Sequence, residues 1–158
     1  MRLFFGLPLS DNVRLRVEDY MCRLRKTSQH GKIRWVRPEN LHVTLRFLGD
    51  VDVGARQAVP LLKGWTEAVS VCTAIPVTLG PLGSFPRILY LKVSPAGPVQ
   101  ELYRRLENFL SRIGFEKDIR PFTPHLTLAR MGPHSHSKSA RTAPDEFHVM
   151  DNLNNVVL

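Results

Sequence analysis

Apolar positions along this chain recur with two different periods, and the alternation between them lays out the fold. Arg2 to Leu7 is a short apolar run that predicts a first strand. Val13, Val17, Tyr20, Met21 and Leu24 then return every three or four residues with Arg and Glu between them, as on one face of a helix. Ser10 or Asp11 stands where its cap belongs. Ile33 to Val36 and Leu41 to Leu48 read as strands, the second closed by Gly49-Asp50. Asp52 is placed to cap a second helix, interrupted or bent around Pro60. Val71, Thr73, Ile75, Val77 and Leu79 alternate as a strand, and Pro76 within it argues for a sheet edge. A Gly/Pro turn at Pro81 to Pro86 leads into a strand at Ile88 to Val93. The clearest helical stripe follows, at Val99, Leu102, Tyr103, Leu106, Phe109, Leu110 and Ile113, stopped by Gly114. Thr123 to Ala129 predicts a strand, Gly132 to Pro144 a polar loop, and Phe147 to Met150 and Val156 to Leu158 strand fragments. Strands interleaved with a few helices predict an α+β protein.

Composition narrows the class. With 158 residues, 43% hydrophobic and 23% charged, the chain suits one compact domain or two small lobes that need no disulfide or metal to fold. No apolar run reaches the roughly 18 residues of a membrane span, and the opening Met1 to Pro8 reads as a strand rather than a signal peptide. Cys22 and Cys72 stand alone, which predicts buried, reduced thiols in a cytoplasmic protein. The net charge of +8 favours a polyanionic partner, nucleic acid or a phosphorylated small molecule.

An internal repeat carries the chemistry. Val36-Arg-Pro-Glu-Asn-Leu-His-Val-Thr-Leu-Arg-Phe-Leu-Gly49 lies without a gap on Ile119-Arg-Pro-Phe-Thr-Pro-His-Leu-Thr-Leu-Ala-Arg-Met-Gly132. Arg, Pro, His, Thr, Leu and Gly coincide, and most of these are residues that core packing does not select. Positions i and i+2 of a strand share a face, so His42 points with Thr44 and His125 with Thr127. Two pseudo-symmetric lobes would bring all four side chains to one cleft. Imidazole titrates near neutrality, so one ring can act as base and the other as acid on opposite sides of a phosphorus atom. The hydroxyls would hold its non-bridging oxygens. A lone strand histidine is usually a core group bonded to a carbonyl, but duplication of the whole His-Thr unit argues against that role here.

These residues resemble the 2H phosphoesterases, named for two His-x-Thr-x motifs, and more closely their RNA 2′,3′-cyclic phosphodiesterase (2′-5′ RNA ligase) branch. MRLFFGLPL, RWVRPENLHVTLRFLG, LGSFPRILYLKV and GFEKDIRPFTPHLTLAR all look like that branch and together span nearly the whole chain. The resemblance implies a single bilobal domain over residues 1–158, with two pseudo-symmetric antiparallel sheets flanked by helices around a central cleft. It implies metal-independent hydrolysis of RNA-terminal 2′,3′-cyclic phosphate to a 2′-phosphate; no cofactor is expected, and the chain is expected to be a monomer. By the same resemblance His42 is the proton donor to the departing 3′ oxygen and His125 the proton acceptor. Thr44, Thr127 and Arg130 hold the phosphate. Relatives usually continue past the last strand, so the C-terminal segment is expected to be a shortened one.

Other residues carry weaker expectations. His134 and His136 form an H-x-H pair without an evident third ligand, and read as part of a solvated loop. His30 and His148 have no partner in the sequence and read as surface or structural. Arg46, by strand alternation, shares the face of His42 and either adds charge to the cleft or is solvated. Trp35, Phe47, Phe85 and Phe122 suit base stacking, though core packing is the commoner role. The basic residues of the first helix (Arg14, Arg16, Arg23, Arg25 and Lys26) read as a solvated face. The same site would also fit 2′-5′ RNA ligation, or phosphodiester cleavage in small cyclic nucleotides and 2′-5′ oligonucleotides. A non-catalytic RNA-binding module needs charge and stacking but no matched proton-transfer groups.

Overall fold

The computed structural model describes residues 2–27, 33–51, 74–132 and 147–153. The expected helix from Asp52, the strand start at Val71 and Thr73, the polar loop with His134 and His136, and Cys72, His30 and Val156 to Leu158 all lie outside the described residues.

The first strand, β1 (Arg2–Pro8), leads into helix α1 (Asp11–Thr27). Ser10 is the cap: its hydroxyl accepts from the Val13 amide at 3.4 Å, and its own amide donates to Asp151 Oδ2 at 3.2 Å. The helix buries Val13, Val17, Tyr20, Met21 and Leu24, the predicted stripe. Cys22 falls off that stripe and is exposed, correcting the expectation of a buried thiol. Helix α2 (Ala96–Arg112) buries Val99, Leu102, Leu106 and Leu110, and one polar residue, Glu107. It ends where Gly114 takes a φ of +92°. The Phe115 and Gly114 amides then donate back to the Leu110 and Ser111 carbonyls, satisfying groups the helix leaves open.

The remaining strands are β2 (Ile33–Trp35), β3 (His42–Asp50), β4 (Ile75–Phe85), β5 (Ile88–Ser94), β6 (His125–Met131) and β7 (Val149–Leu153). All pairings are antiparallel, in the order β1-β3-β6-β5-β4-β7, with β2 also on β6. The fold is therefore α+β. The expected two sheets are recognisable as β1-β3 and the β6-β5-β4-β7 group, but they meet: Val43 pairs with Leu126 at a single register position. Pro76 is partly the edge residue expected of it. It opposes Asn152 on β7, while pairing to β5 begins only at Thr78.

The core runs under this sheet. Leu89 and Leu91 of β5 and Leu126 and Leu128 of β6 are at most 1% exposed, in one cluster with the inner faces of both helices. Each such leucine contributes about 1.5–3 kcal/mol through burial.

Candidate active site

Strands β3 and β6 present the two copies of the repeat. Along β3, Val43 and Leu45 are buried while His42 and Thr44 are half-exposed; along β6, Leu126 and Leu128 are buried while His125 and Thr127 are half-exposed. Alternation thus turns each His-Thr pair away from the core. Because Val43 faces Leu126 in antiparallel register, Thr44 falls on the His125 side of the seam and His42 on the Thr127 side.

Each motif strand then gains one residue on its neighbour. Gly6 and Phe5 of β1 oppose Thr44 and Arg46, so Leu45 is extra; Tyr90 and Leu89 of β5 oppose Thr127 and Ala129, so Leu128 is extra. Leu45 and Leu128 occupy the same place in the two copies. A bulge reverses the inside–outside alternation beyond it. That reversal brings Arg130 round to the face of His125 and Thr127, opposite Ile88, whereas strict alternation from Thr127 would have aimed it at the core.

The same device corrects the expectation for Arg46. Beyond Leu45 it is Phe47 that returns to the His42 face, 53% exposed and with its ring 5.9 Å from Phe4. Arg46 instead pairs with Glu107 at 2.7 Å and Asp118 at 3.5 Å, and donates to the Glu116 and Phe47 carbonyls at 2.6 and 3.0 Å. It borders the cleft, but two carboxylates take up its charge. It is neither a free cleft cation nor solvated.

Both imidazoles are held alike. Nδ1 of His42 lies 2.7 Å from the Asn40 carbonyl, and Nδ1 of His125 lies 2.7 Å from the Thr123 carbonyl, again at equivalent positions. A carbonyl only accepts, so Nδ1 carries the proton in each ring and Nε2 is left for chemistry. His42 stacks on Phe4 at 4.5 Å, and Gly6 makes room: a Cβ there would sit 2.9 Å from the imidazole Cδ2. His125 meets Phe85 and Tyr90 edge-on at 5.3 and 5.4 Å. Burial pushes the His42 imidazole below its usual pKa, against the opposing pull of the Asn40 hydrogen bond.

Thr44, His125, Thr127 and Arg130 line one cleft of about 340 Å³. His42 lies outside this lining, two residues back along β3 from Thr44. Of the far wall, the sequence singles out Phe122 alone as a cleft candidate. Tyr103 stacks on Phe122 at 4.1 Å, and Asp118 holds Arg120 through both carboxylate oxygens. The Arg120 guanidinium holds the Asp118 carboxyl down to about 2. Glu107, interrupting the apolar stripe of α2, was the available signal for this network. Of the four aromatic candidates, Phe47 and Phe122 line the cleft, Phe85 backs His125, and Trp35 packs on the core under Arg25. In α1, Arg14 and Arg23 pair with Asp11 and Asp19, as on a solvated helix face. His148 is exposed. Among the described residues no group of three metal-ligating side chains occurs, and no helix is long and apolar enough to cross a membrane.

Comparisons with known proteins bear on the family and the fold. The family model of the 2′-5′ RNA ligase superfamily matches residues 12–148. An RNA 2′,3′-cyclic phosphodiesterase of Methanocaldococcus jannaschii is 26% identical over 155 residues, covering 96% of this chain and 83% of the relative. One of Geobacillus stearothermophilus is 36% identical over 101 residues, covering 61% of this chain but only 32% of that longer protein. Among solved structures, a Thermus thermophilus protein superposes with a TM-score of 0.73 at 25% identity, over 99% of this chain and 84% of its own. LigT of E. coli complexed with 3′-AMP superposes with a TM-score of 0.66 at 29% identity, over 85% and 75%. The chain belongs to the 2′-5′ RNA ligase superfamily.

Proposed function

We propose that the protein hydrolyses the 2′,3′-cyclic phosphate at the end of an RNA to a 2′-phosphate, by acid–base catalysis between His42 and His125 without a metal ion. The observation that carries this reading is the matched pair of 2.7 Å locks, which leave Nε2 as the reactive nitrogen of both rings. Relatives named RNA 2′,3′-cyclic phosphodiesterase supply the substrate class.

In the proposed cycle, neutral His125 takes a proton from water through Nε2 as the water oxygen bonds to phosphorus. The bond from phosphorus to the 3′ oxygen breaks, and protonated His42 delivers its Nε2 proton to that oxygen. Thr44 and Thr127 donate to the non-bridging oxygens, and Arg130 balances their charge. The rings then exchange protonation states with solvent. Each histidine is asked for about 10²–10⁴ in rate, the usual range for general acid–base catalysis. The protein acts as a cytoplasmic monomer.

The test is ³¹P NMR of an RNA ending in 2′,3′-cyclic phosphate, incubated with the protein in EDTA. A 2′-phosphate should appear, and His42→Ala and His125→Ala should each lose at least about a hundredfold in rate while staying folded. Near-normal turnover by either variant would sink the paired mechanism, and loss of activity in EDTA would require a metal. A 3′-phosphate product would reverse the substrate's orientation.

A further inference from the structure

The bulge at Leu128 places Arg130 on the catalytic face, and β2 sets a second arginine beside it. Arg34 is the direct antiparallel partner of Arg130, flanked by the pairs Ile33–Met131 and Trp35–Ala129. Opposed residues in antiparallel strands share a face. Ile33, Trp35 and Ala129 pack on the core, so Arg34 and Arg130 project together from the side that carries His125 and Thr127. Both are exposed, and among the described residues neither guanidinium has a hydrogen-bonding or ion-pairing partner. They line a second cavity of about 560 Å³, and Arg130 also lines the catalytic cleft, so the two spaces adjoin through its side chain. Like charges set directly opposite each other weaken a sheet unless an anion lies between them.

We infer that Arg34 and Arg130 form a subsite for a second phosphate, the internucleotide phosphate on the 5′ side of the terminal nucleoside. This rests on the cyclic phosphate occupying the cleft as proposed above. That phosphate exists in an RNA end and is missing from a free nucleoside 2′,3′-cyclic phosphate. Arg34 is thereby a specificity residue that favours chain ends over mononucleotides. Arg34 meets this phosphate from the second cavity, while Arg130, on the boundary, bridges it and the cyclic phosphate, so the pair supplies charge-assisted hydrogen bonds that a single arginine cannot.

The experiment compares kcat/KM for a dinucleotide ending in 2′,3′-cyclic phosphate with that for the nucleoside 2′,3′-cyclic phosphate, in wild type, Arg34→Gln and Arg112→Gln. Arg112 is an exposed arginine at the end of α2, so its variant removes the same charge elsewhere. Arg34→Gln should cut the preference for the dinucleotide about tenfold, the worth of one charged hydrogen bond, while Arg112→Gln preserves it. Anisotropy of a labelled, 2′-phosphorylated RNA should show the salt dependence of binding become shallower by about 0.7 in the log–log slope for Arg34→Gln only. The inference is overturned if wild type shows no preference, if Arg34→Gln leaves it unchanged, or if both variants reduce it equally. Should wild type turn over neither substrate, the proposed hydrolysis fails, and the anisotropy comparison alone decides the second phosphate site.

Discussion

Replacing Gly6 by alanine should disable His42 without touching it. The new methyl would stand 2.9 Å from the imidazole Cδ2, 3.2 Å from the Phe4 ring and 3.4 Å from the Val43 carbonyl, where ordinary contact begins at 3.4 Å. The imidazole must therefore retreat by about 0.5 Å, because backbone on the other side leaves the methyl nowhere to go. The ring can yield only by weakening its 2.7 Å bond to the Asn40 carbonyl and its stack on Phe4. Those are worth about 1 kcal/mol and about 0.5–1.5 kcal/mol. Gly6→Ala should thus lose about 1–2.5 kcal/mol of stability, seen as a fall of a few degrees in Tm. A 1 Å misplacement of a catalytic group costs about 10²-fold in rate, so half that shift should lower kcat about tenfold. Histidine ¹⁵N NMR should show the Nδ1–H form disturbed in His42 and intact in His125. Gly49→Ala is the control, since nothing lies within 4 Å of its Cβ but its φ is +75°. It should cost about 1–2 kcal/mol through backbone strain and leave kcat alone. If Gly6→Ala loses only stability, as Gly49→Ala does, the packing of β1 is not what aims the His42 ring.

Burial lowers the His42 pKa, so its acid form is lost as pH rises through a value below 6.5. The alkaline limb of kcat/KM should accordingly begin below pH 6.5, and a profile flat to pH 8 would remove His42 as the acid. The same depression means the unfolded chain binds the proton more readily, so this site's contribution to stability should fall as pH drops below about 6.5, measurable by denaturant titration. Asp118, held at about 2 in the folded protein, contributes stability that is present above about pH 4 and is lost as pH falls towards 2; Asp118→Asn should flatten the melting curve's pH dependence in that window. Thr127→Val removes a donor to the phosphate and should lower kcat/KM by about 10- to 100-fold at nearly unchanged Tm; an unchanged rate would remove the hydroxyl from the site. Glu107→Ala leaves the buried Arg46 guanidinium with the more distant Asp118 as its one remaining carboxylate, beside the Glu116 and Phe47 carbonyls, and should destabilise by about 3 kcal/mol in a urea titration.

The duplicated His-x-Thr-Leu block was legible because it is written in polar residues at period two, which local backbone geometry turns directly into a shared face. The helical stripes of α1 and α2 were legible because their apolar residues recur every three or four positions, which a helix likewise turns into one face. Arg46 was misplaced because a bulge is a property of two strands: nothing in Leu45 or Leu128 announces the extra residue, which exists only relative to β1 and β5. The Glu107–Arg46–Asp118 network joins α2, β3 and the segment before β6, and such long-range pairing leaves no local period. A glutamate four residues after Tyr103 within an apolar stripe was its only trace. Cys22 looked buried by composition, yet its position on the helix puts it off the inner face.

The single pairing of Val43 with Leu126 has a mechanical consequence. A joint of one register position resists twisting between the two halves of the sheet less than a long ladder would, and His42 and His125 are the chain neighbours of its two residues. When one half twists on the other, points near the axis travel least, while Phe47, Arg34 and Arg130 lie farther out and sweep through longer arcs. A twist between the halves would therefore change the space beside Phe47 and Arg130 more than the spacing of the two imidazoles.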